Sequence, residues 1–227
     1  RPFYAGTHEV TNAEFQQFDS SKSGDGKLPI TNLSWLEAVK FCNWLSQQEG
    51  LTPVYQLQGN QLNQINSNAD GYRLLMEAEW EWLARKAGKP EHTPFVWGND
   101  KTIPTKAVNI ADESAKGSVK LYVPRFYDGY TGIAPVKSFD REKSGLYDLG
   151  GNVSEWTHDS YSLTVPKLDT VYPQVLDTST IAMRVIKGAN WRSGSLSELR
   201  ASYRDGAELG RDILGFRIGR FLSGGNE

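Results

Sequence analysis

Few residues in this chain could do chemistry. One cysteine, Cys42, and three histidines, His8, His92 and His158, are spread along 227 residues. A lone thiol forms no internal disulfide, no CxxC redox pair and no thiolate metal cluster. The histidines stand far apart, so a histidine metal centre would need all three to converge in the fold. Oxygen donors are better placed. Asp148 and Glu155 bracket Gly150-Gly151, where missing Cβ atoms let main-chain carbonyls fold inward, and calcium accepts such mixtures of carboxylates, amides and carbonyls. The plainer reading is a tight turn with both acids bonded to backbone amides. A later segment, with Trp191, Arg192, Arg200, Tyr203, Arg204 and Arg211, joins guanidinium groups to broad rings, the composition of interface hot spots. The same arginines could pair internally with Glu198, Asp205, Glu208 or Asp212, a reading that suits Arg204 and Arg217 best. Ser193 has no histidine near it in sequence, and serine without an activating base is inert.

These residues need elements to hold them. Thr11 with Glu14, and Ser34 with Glu37, are capping boxes. They predict a short helix from Asn12 to about Asp19 and a longer one ending near Gly50. Trp35, Ala38, Val39, Cys42 and Leu45 fall on one face of the longer helix, so Cys42 reads as a buried hydrophobe rather than a reactive thiol. Residues 56–70 are rich in Gln and Asn and read as a solvated turn or hairpin. A third helix is expected from Glu77 to about Ala87, with Met76, Trp80, Leu83, Ala84 and Ala87 as its apolar stripe. Beyond Gly88 only short β-prone runs remain: Val119–Val123, Ala134–Phe139, Arg184–Lys187 and Phe216–Phe221. Helices in front and irregular β structure behind predict an α+β fold, rich in loops. No repeat or linker divides the chain, so one domain over 1–227 is expected.

Composition narrows the partners. The formal charge is −2 and 11% of residues are aromatic, which describes a core-forming chain with no basic tract for nucleic acid. No apolar run reaches the roughly 18 residues of a membrane span. The opening Arg1-Pro2-Phe3-Tyr4 lacks a signal-peptide pattern. A soluble, already trimmed chain with no membrane insertion by this segment is expected.

Ordered blocks then point to a family. Glu9-Val10-Thr11-Asn12-Ala13-Glu14-Phe15, Asn32 to Cys42, Tyr72-Arg73-Leu74, Glu77-Ala78-Glu79-Trp80-Glu81-Trp82, Trp97-Gly98-Asn99, the run from Gly145 to Trp156, and Gly215-Phe216-Arg217 resemble the formylglycine-generating enzyme (sulfatase-modifying factor) family. The resemblance covers residues 4–221. It implies a C-type-lectin-like fold, with a few helices around a twisted antiparallel sheet. It also implies a copper oxidase that uses two cysteines near the C-terminus, because soft thiolate suits Cu(I). Ser193 stands where the first of those cysteines belongs. The second falls between Leu196 and Glu198, and no cysteine follows residue 42. Oxidase activity and copper are therefore expected to be absent. Iron is expected to be absent too, because the family's sulfoxide synthases need a three-histidine site. Leu75-Met76 stands where the family has Pro-Thr, so the third helix should lack a hydroxyl cap worth roughly 1 kcal/mol, offset by packing of Trp80 and Trp82.

By resemblance, one calcium position comprises the Asn109 side chain, the Ile110 carbonyl, the Asp128 carboxylate and the Tyr130 carbonyl. A second comprises Asp148, the Gly151 and Val153 carbonyls, and Glu155. One or two structural ions are expected. The function expected is a non-catalytic, calcium-stabilised recognition or regulatory module. It would bind a protein or peptide through Trp191, Arg192, Ser193, Arg200 and Arg204, in a periplasmic or otherwise extracytoplasmic setting such as a bacterial serine/threonine kinase or type VI secretion pathway. The alternatives are a periplasmic enzyme with other chemistry on this scaffold, and a lectin-like or diversified ligand-binding receptor.

Overall fold

The computed structural model describes residues 1–163 and 182–222. Both capping boxes form. Thr11 accepts from the Glu14 amide while Glu14 accepts from the Thr11 amide at 2.8 Å, starting α1 (Asn12–Gln16). Ser34 and Glu37 repeat the pattern at the start of α2 (Trp35–Gln48). Helix α1 is shorter than expected, although the Phe18 and Asp19 amides still bond to the Phe15 carbonyl. The α2 stripe of Trp35, Ala38, Val39 and Cys42 is buried. Burial raises the Cys42 thiol above its usual range, which makes it an inert core side chain.

The Gln/Asn-rich stretch folds as the hairpin β2 (Tyr55–Gln58) and β3 (Gln61–Ile65). Strand β1 (Phe3–Ala5) pairs antiparallel with β9 (Ile218–Phe221), which pairs antiparallel with β4 (Tyr72–Leu74). A second sheet runs β7 (Arg204–Ala207), β6 (Arg184–Lys187), β5 (Ser154–Ser160), β8 (Leu214–Phe216), with the β5–β8 pair parallel. Arg217 alone separates β8 from β9, so it sits where the chain passes from one sheet to the other. Phe15, Phe41, Trp156 and Phe216 share the largest apolar cluster, in which Phe15 stacks on Phe41 at 5.4 Å.

Helix α3 (Glu77–Arg85) begins at Met76, which makes no side-chain cap bond. The substitute is a carboxylate from another element. Asp159 on β5 accepts from the Glu77 amide at 2.6 Å, and Glu79 accepts from the Met76 amide at 2.9 Å. Trp80 is buried at 1% exposure while Trp82 is 47% exposed, its ring edge-to-face with Phe3. Compensation for the lost hydroxyl thus comes from Asp159 and Trp80, without the packing expected of Trp82.

Two expected strands do not form. Residues 119–123 and 134–139 run as turns, touched only by isolated bridges at Val119 and Val123. In the first run the Val123 amide donates to the Ala111 carbonyl, and in the second side-chain oxygens stand in for a ladder, the Ala134 amide donating to Asn152 and the Lys137 amide to Asp148. Acidic and amide side chains thus organise the loop-rich region, as buried backbone groups require.

Candidate functional site

Ser193, where resemblance places the first catalytic cysteine, is only 4% exposed and lies in a closed polar turn. Its Oγ accepts from the Asn190 amide at 3.2 Å, and its own amide donates to the Asn190 carbonyl at 2.8 Å. The Asn190 side chain donates to Ser154 Oγ at 3.0 Å, and Ser154 donates to the Gly188 carbonyl at 2.8 Å. The partners of Ser193 include no histidine. His158 instead meets the Tyr55 hydroxyl at 3.0 Å. Burial, reinforced by Arg73 and Arg184, pushes it down to about 3, so it is neutral near pH 7. The residues beyond are fixed by a local cap, in which Glu198 accepts from the Gly194 and Ser195 amides. Leu196, the first residue of the window expected for the second thiol, is 42% exposed. This segment holds itself in shape and offers no activated nucleophile.

Behind it lies a buried charged cluster. Arg217 donates to Glu155 through Nη2 at 2.8 Å and Nε at 3.2 Å, to the Gly6 carbonyl at 3.0 Å and to the Tyr147 carbonyl at 2.8 Å. Trp80 Nε1 donates to Glu155 Oε2 at 2.9 Å. Burial acts to lower the Arg217 guanidinium pKa, but Glu155, Glu9 and Glu142 outweigh it and raise it above the ordinary value. Burial pushes Glu142 up to about 8, and lifts Glu9 well above and Asp148 above the usual carboxylate range. Four carboxyl groups therefore answer to one cation.

Among the described residues, no group of three Asp, Glu, His or Cys side chains is arranged to hold a metal ion. The histidines, accordingly, do not converge on one. A calcium ion would have to draw on amide and main-chain oxygens. At the first expected position the Asn109 and Asp128 side chains suit one. Asn109 donates through Nδ2 to the Gly132 carbonyl at 2.9 Å and to Asn152 Oδ1 at 3.0 Å, leaving its own Oδ1 buried without a donor. Asp128 accepts from the Ile110 and Tyr130 amides at 2.9 and 2.7 Å, which fixes it beside Asn109. Burial, with a smaller contribution from Asp112, pushes Asp128 up to about 6. An orphan oxygen beside a strained acid is the arrangement a cation would relieve.

At the second position the fit is divided. Asp148, with φ of 66°, accepts from the Lys137 amide through Oδ2 at 2.8 Å, and its Oδ1 is buried without a partner. Gly151 has its Cα against the Asn109 backbone, where a Cβ would collide. Glu155 does not fit, because the Arg217 guanidinium bonded to both of its oxygens already balances its charge.

The expected partner residues separate into two groups. Trp191 is half-buried, Arg192 lies over its ring at 4.3 Å and pairs with Asp212 at 2.7 Å, and Arg200 is exposed. Ser193 and Arg204 turn inward, which corrects their assignment to the partner surface. Arg204 grips Glu77 at 2.6 and 3.0 Å and the Ser162 carbonyl at 2.6 Å, with its guanidinium over Tyr161. Leu121, 57% exposed, packs its backbone against Gly194, and Leu196 is 42% exposed two residues further on. Sequence reasoning missed Glu9, Ser154 and Asn190 as site residues. The only signal for Glu9 was its place in the Glu9-Val10-Thr11 block.

Fold and site together define a formylglycine-generating-enzyme-like protein with a hydrogen-bonded serine, Ser193, where the resemblance implies a thiol. The chain belongs to the sulfatase-modifying factor enzyme 1-like domain family, whose model matches residues 1–221. It is 26% identical over 239 residues to the chaperone protein LppX of Paenibacillus barcinonensis, covering 96% of this chain and 80% of LppX. It is 30% identical over 198 residues to the inactive C-alpha-formylglycine-generating enzyme 2 of Bos taurus, covering 84% of this chain and 50% of that protein. The chain thus spans only about half the length of that relative. The solved structure of Treponema denticola variable protein 1 superposes with a TM-score of 0.72 at 24% identity, over 97% of this chain and 84% of that one, which shows the shared fold. No helix among the described residues is long and apolar enough to cross a membrane.

Proposed function

We propose that this chain is a non-catalytic recognition module that captures a protein or peptide on the Trp191–Arg192 turn, with calcium stabilising the loops behind it. The observation that carries the reading is the closed hydrogen-bonded turn at Ser193. It ties up the hydroxyl that stands in for a thiol while the two residues before it present a ring and a guanidinium group already stacked on one another. A preorganised pair loses little entropy on binding, and the exposed Leu121 and Leu196 add apolar area. The relatives support this direction, since one is named as a chaperone and another as inactive. The setting we place it in is extracytoplasmic, with a regulatory protein of a kinase or secretion pathway, or a client polypeptide, as the partner. At the first ion position Asn109 and Asp128 would hold calcium, which stabilises a fold by binding only its folded form.

The test is capture of partners from an extracytoplasmic fraction of the source cell. Wild type is expected to retain a defined protein that the Trp191→Ala, Arg192→Ala double variant loses at unchanged thermal stability. Equal capture by both forms contradicts the assignment of this surface.

A further inference from the structure

We propose that a small primary amine, an ammonium group on an apolar body, binds in the cleft where the segment before α1 meets α1 and α2. The cleft measures about 350 Å³, the size of a pocket that holds a small molecule. Phe41, Trp44 and Leu45 of α2, with Ile218 of β9, give it apolar walls, and His8 and Glu14 are its titratable lining residues. Among the described residues no lysine or arginine lines it, so the charge it presents is the Glu14 carboxylate.

Glu14 and His8 leave two acceptors facing one another. Glu14 spends Oε2 on the Thr11 amide at 2.8 Å and the Thr11 hydroxyl at 3.0 Å. Its Oε1 lies 3.9 Å from His8 Nε2, on a side chain that is 48% exposed, and that separation is too long for a hydrogen bond. His8 Nδ1 meets the Glu9 carbonyl at 2.8 Å. A carbonyl only accepts, so the proton sits on Nδ1 and the neutral ring offers Glu14 a lone pair at Nε2. A carboxylate oxygen and an imidazole lone pair cannot satisfy one another, whereas a cation with several N–H donors satisfies both. An ammonium group has the charge and the donors, and the Phe41 and Trp44 rings, 5.6 Å apart, accept the body attached to it. A protonated His8 would supply the charge itself, so the site is open when the imidazole is neutral. The cleft shares no residue with the Trp191–Arg192 turn or with either ion position, and the inference stands apart from those readings.

The test is an NMR titration of the isotope-labelled full chain with phenethylamine at about pH 8, above the ordinary imidazole range, beside hydrocinnamate as the matched acid. Glu14→Gln removes the charge and keeps a side-chain acceptor for the Thr11 amide. Wild type is expected to show saturable shifts at the His8, Glu14 and Leu45 amides and the Trp44 indole with the amine and none with the acid. Glu14→Gln is expected to bind the amine about tenfold more weakly or worse, the loss of one charged hydrogen bond. Equal affinity on Glu14→Gln, equal binding of the acid, or saturable shifts only elsewhere overturn the proposal. So does binding of N-acetyl-lysine amide without phenethylamine, because the occupant would then be a protein side chain. Should Glu14→Gln fail to fold, the comparison of amine and acid on wild type decides.

Discussion

Arg217 and Glu155 meet at 2.8 Å with side-chain exposures of 0% and 1%, joining the β8–β9 crossover to the centre of the second sheet. Removing one member of such a pair strands the other charge in a dry site, at a cost of about 3–5 kcal/mol. Arg217→Met should therefore lower the free energy of unfolding by about that amount in a urea titration. Arg217→Lys should not rescue it, because an ammonium cannot reach Glu155, Gly6 and Tyr147 together. A loss below about 1 kcal/mol, the range of an exposed pair, would contradict this role.

Ser193→Ala should cost about 1–3 kcal/mol, because the buried Asn190 amide loses its acceptor. Partner capture should be unchanged. Lost capture at unchanged stability would put Ser193 in the binding surface after all.

Asp159 lies 3% exposed against the start of α3, and burial pushes it up to about 6 from 3.8. A carboxyl whose folded pKa is raised binds protons more readily in the folded state. Its contribution to stability is therefore greatest below pH 4 and declines as pH rises toward 6, by on the order of 2–3 kcal/mol. Asp159→Asn, which can keep an acceptor for the Glu77 amide, should gain on wild type over that window. Parallel stability curves for the two proteins between pH 4 and 7 would rule out this effect.

Asp128→Asn should lower the melting temperature measured in calcium and leave that measured in chelator nearly unchanged or raised. The burial that pushes Asp128 up to about 6 disfavours its charge when no cation is present. Equal losses in both media would show that Asp128 serves only the Ile110 and Tyr130 amides.

Local signals made much of the fold legible. Both capping boxes, the α2 stripe, the hairpin after Tyr55 and β6 follow from residue types a few positions apart. Strand β5 was not legible. Its sequence, Ser-Glu-Trp-Thr-His-Asp-Ser, has no apolar alternation, yet its first six residues are buried. Each polar side chain there is satisfied by something distant: Glu155 by Arg217, Thr157 by the Val185 carbonyl, His158 by Tyr55 and Asp159 by the Glu77 amide. The runs at 119–123 and 134–139 misled for the converse reason. They have β-prone side chains, but the first makes only isolated bridges to the 112–116 segment, and in the second Asn152 and Asp148 accept from the Ala134 and Lys137 amides. The cap on α3 comes from a residue 82 positions away, which no local pattern could reveal. At the site, the family resemblance singled out Ser193 and residue types the Trp191–Arg192 pair, whereas the closed turn at Ser193, the inward turn of Arg204 and the commitment of Glu155 to Arg217 depend on tertiary contacts.

The most direct test of the exchange of chemistry for recognition is to incubate the copper-treated protein with a cysteine-bearing sulfatase peptide and oxygen, and to follow the peptide by mass spectrometry. The account predicts that the cysteine survives and that the protein retains no stoichiometric copper after desalting. Conversion of the cysteine to the aldehyde-bearing residue would contradict it.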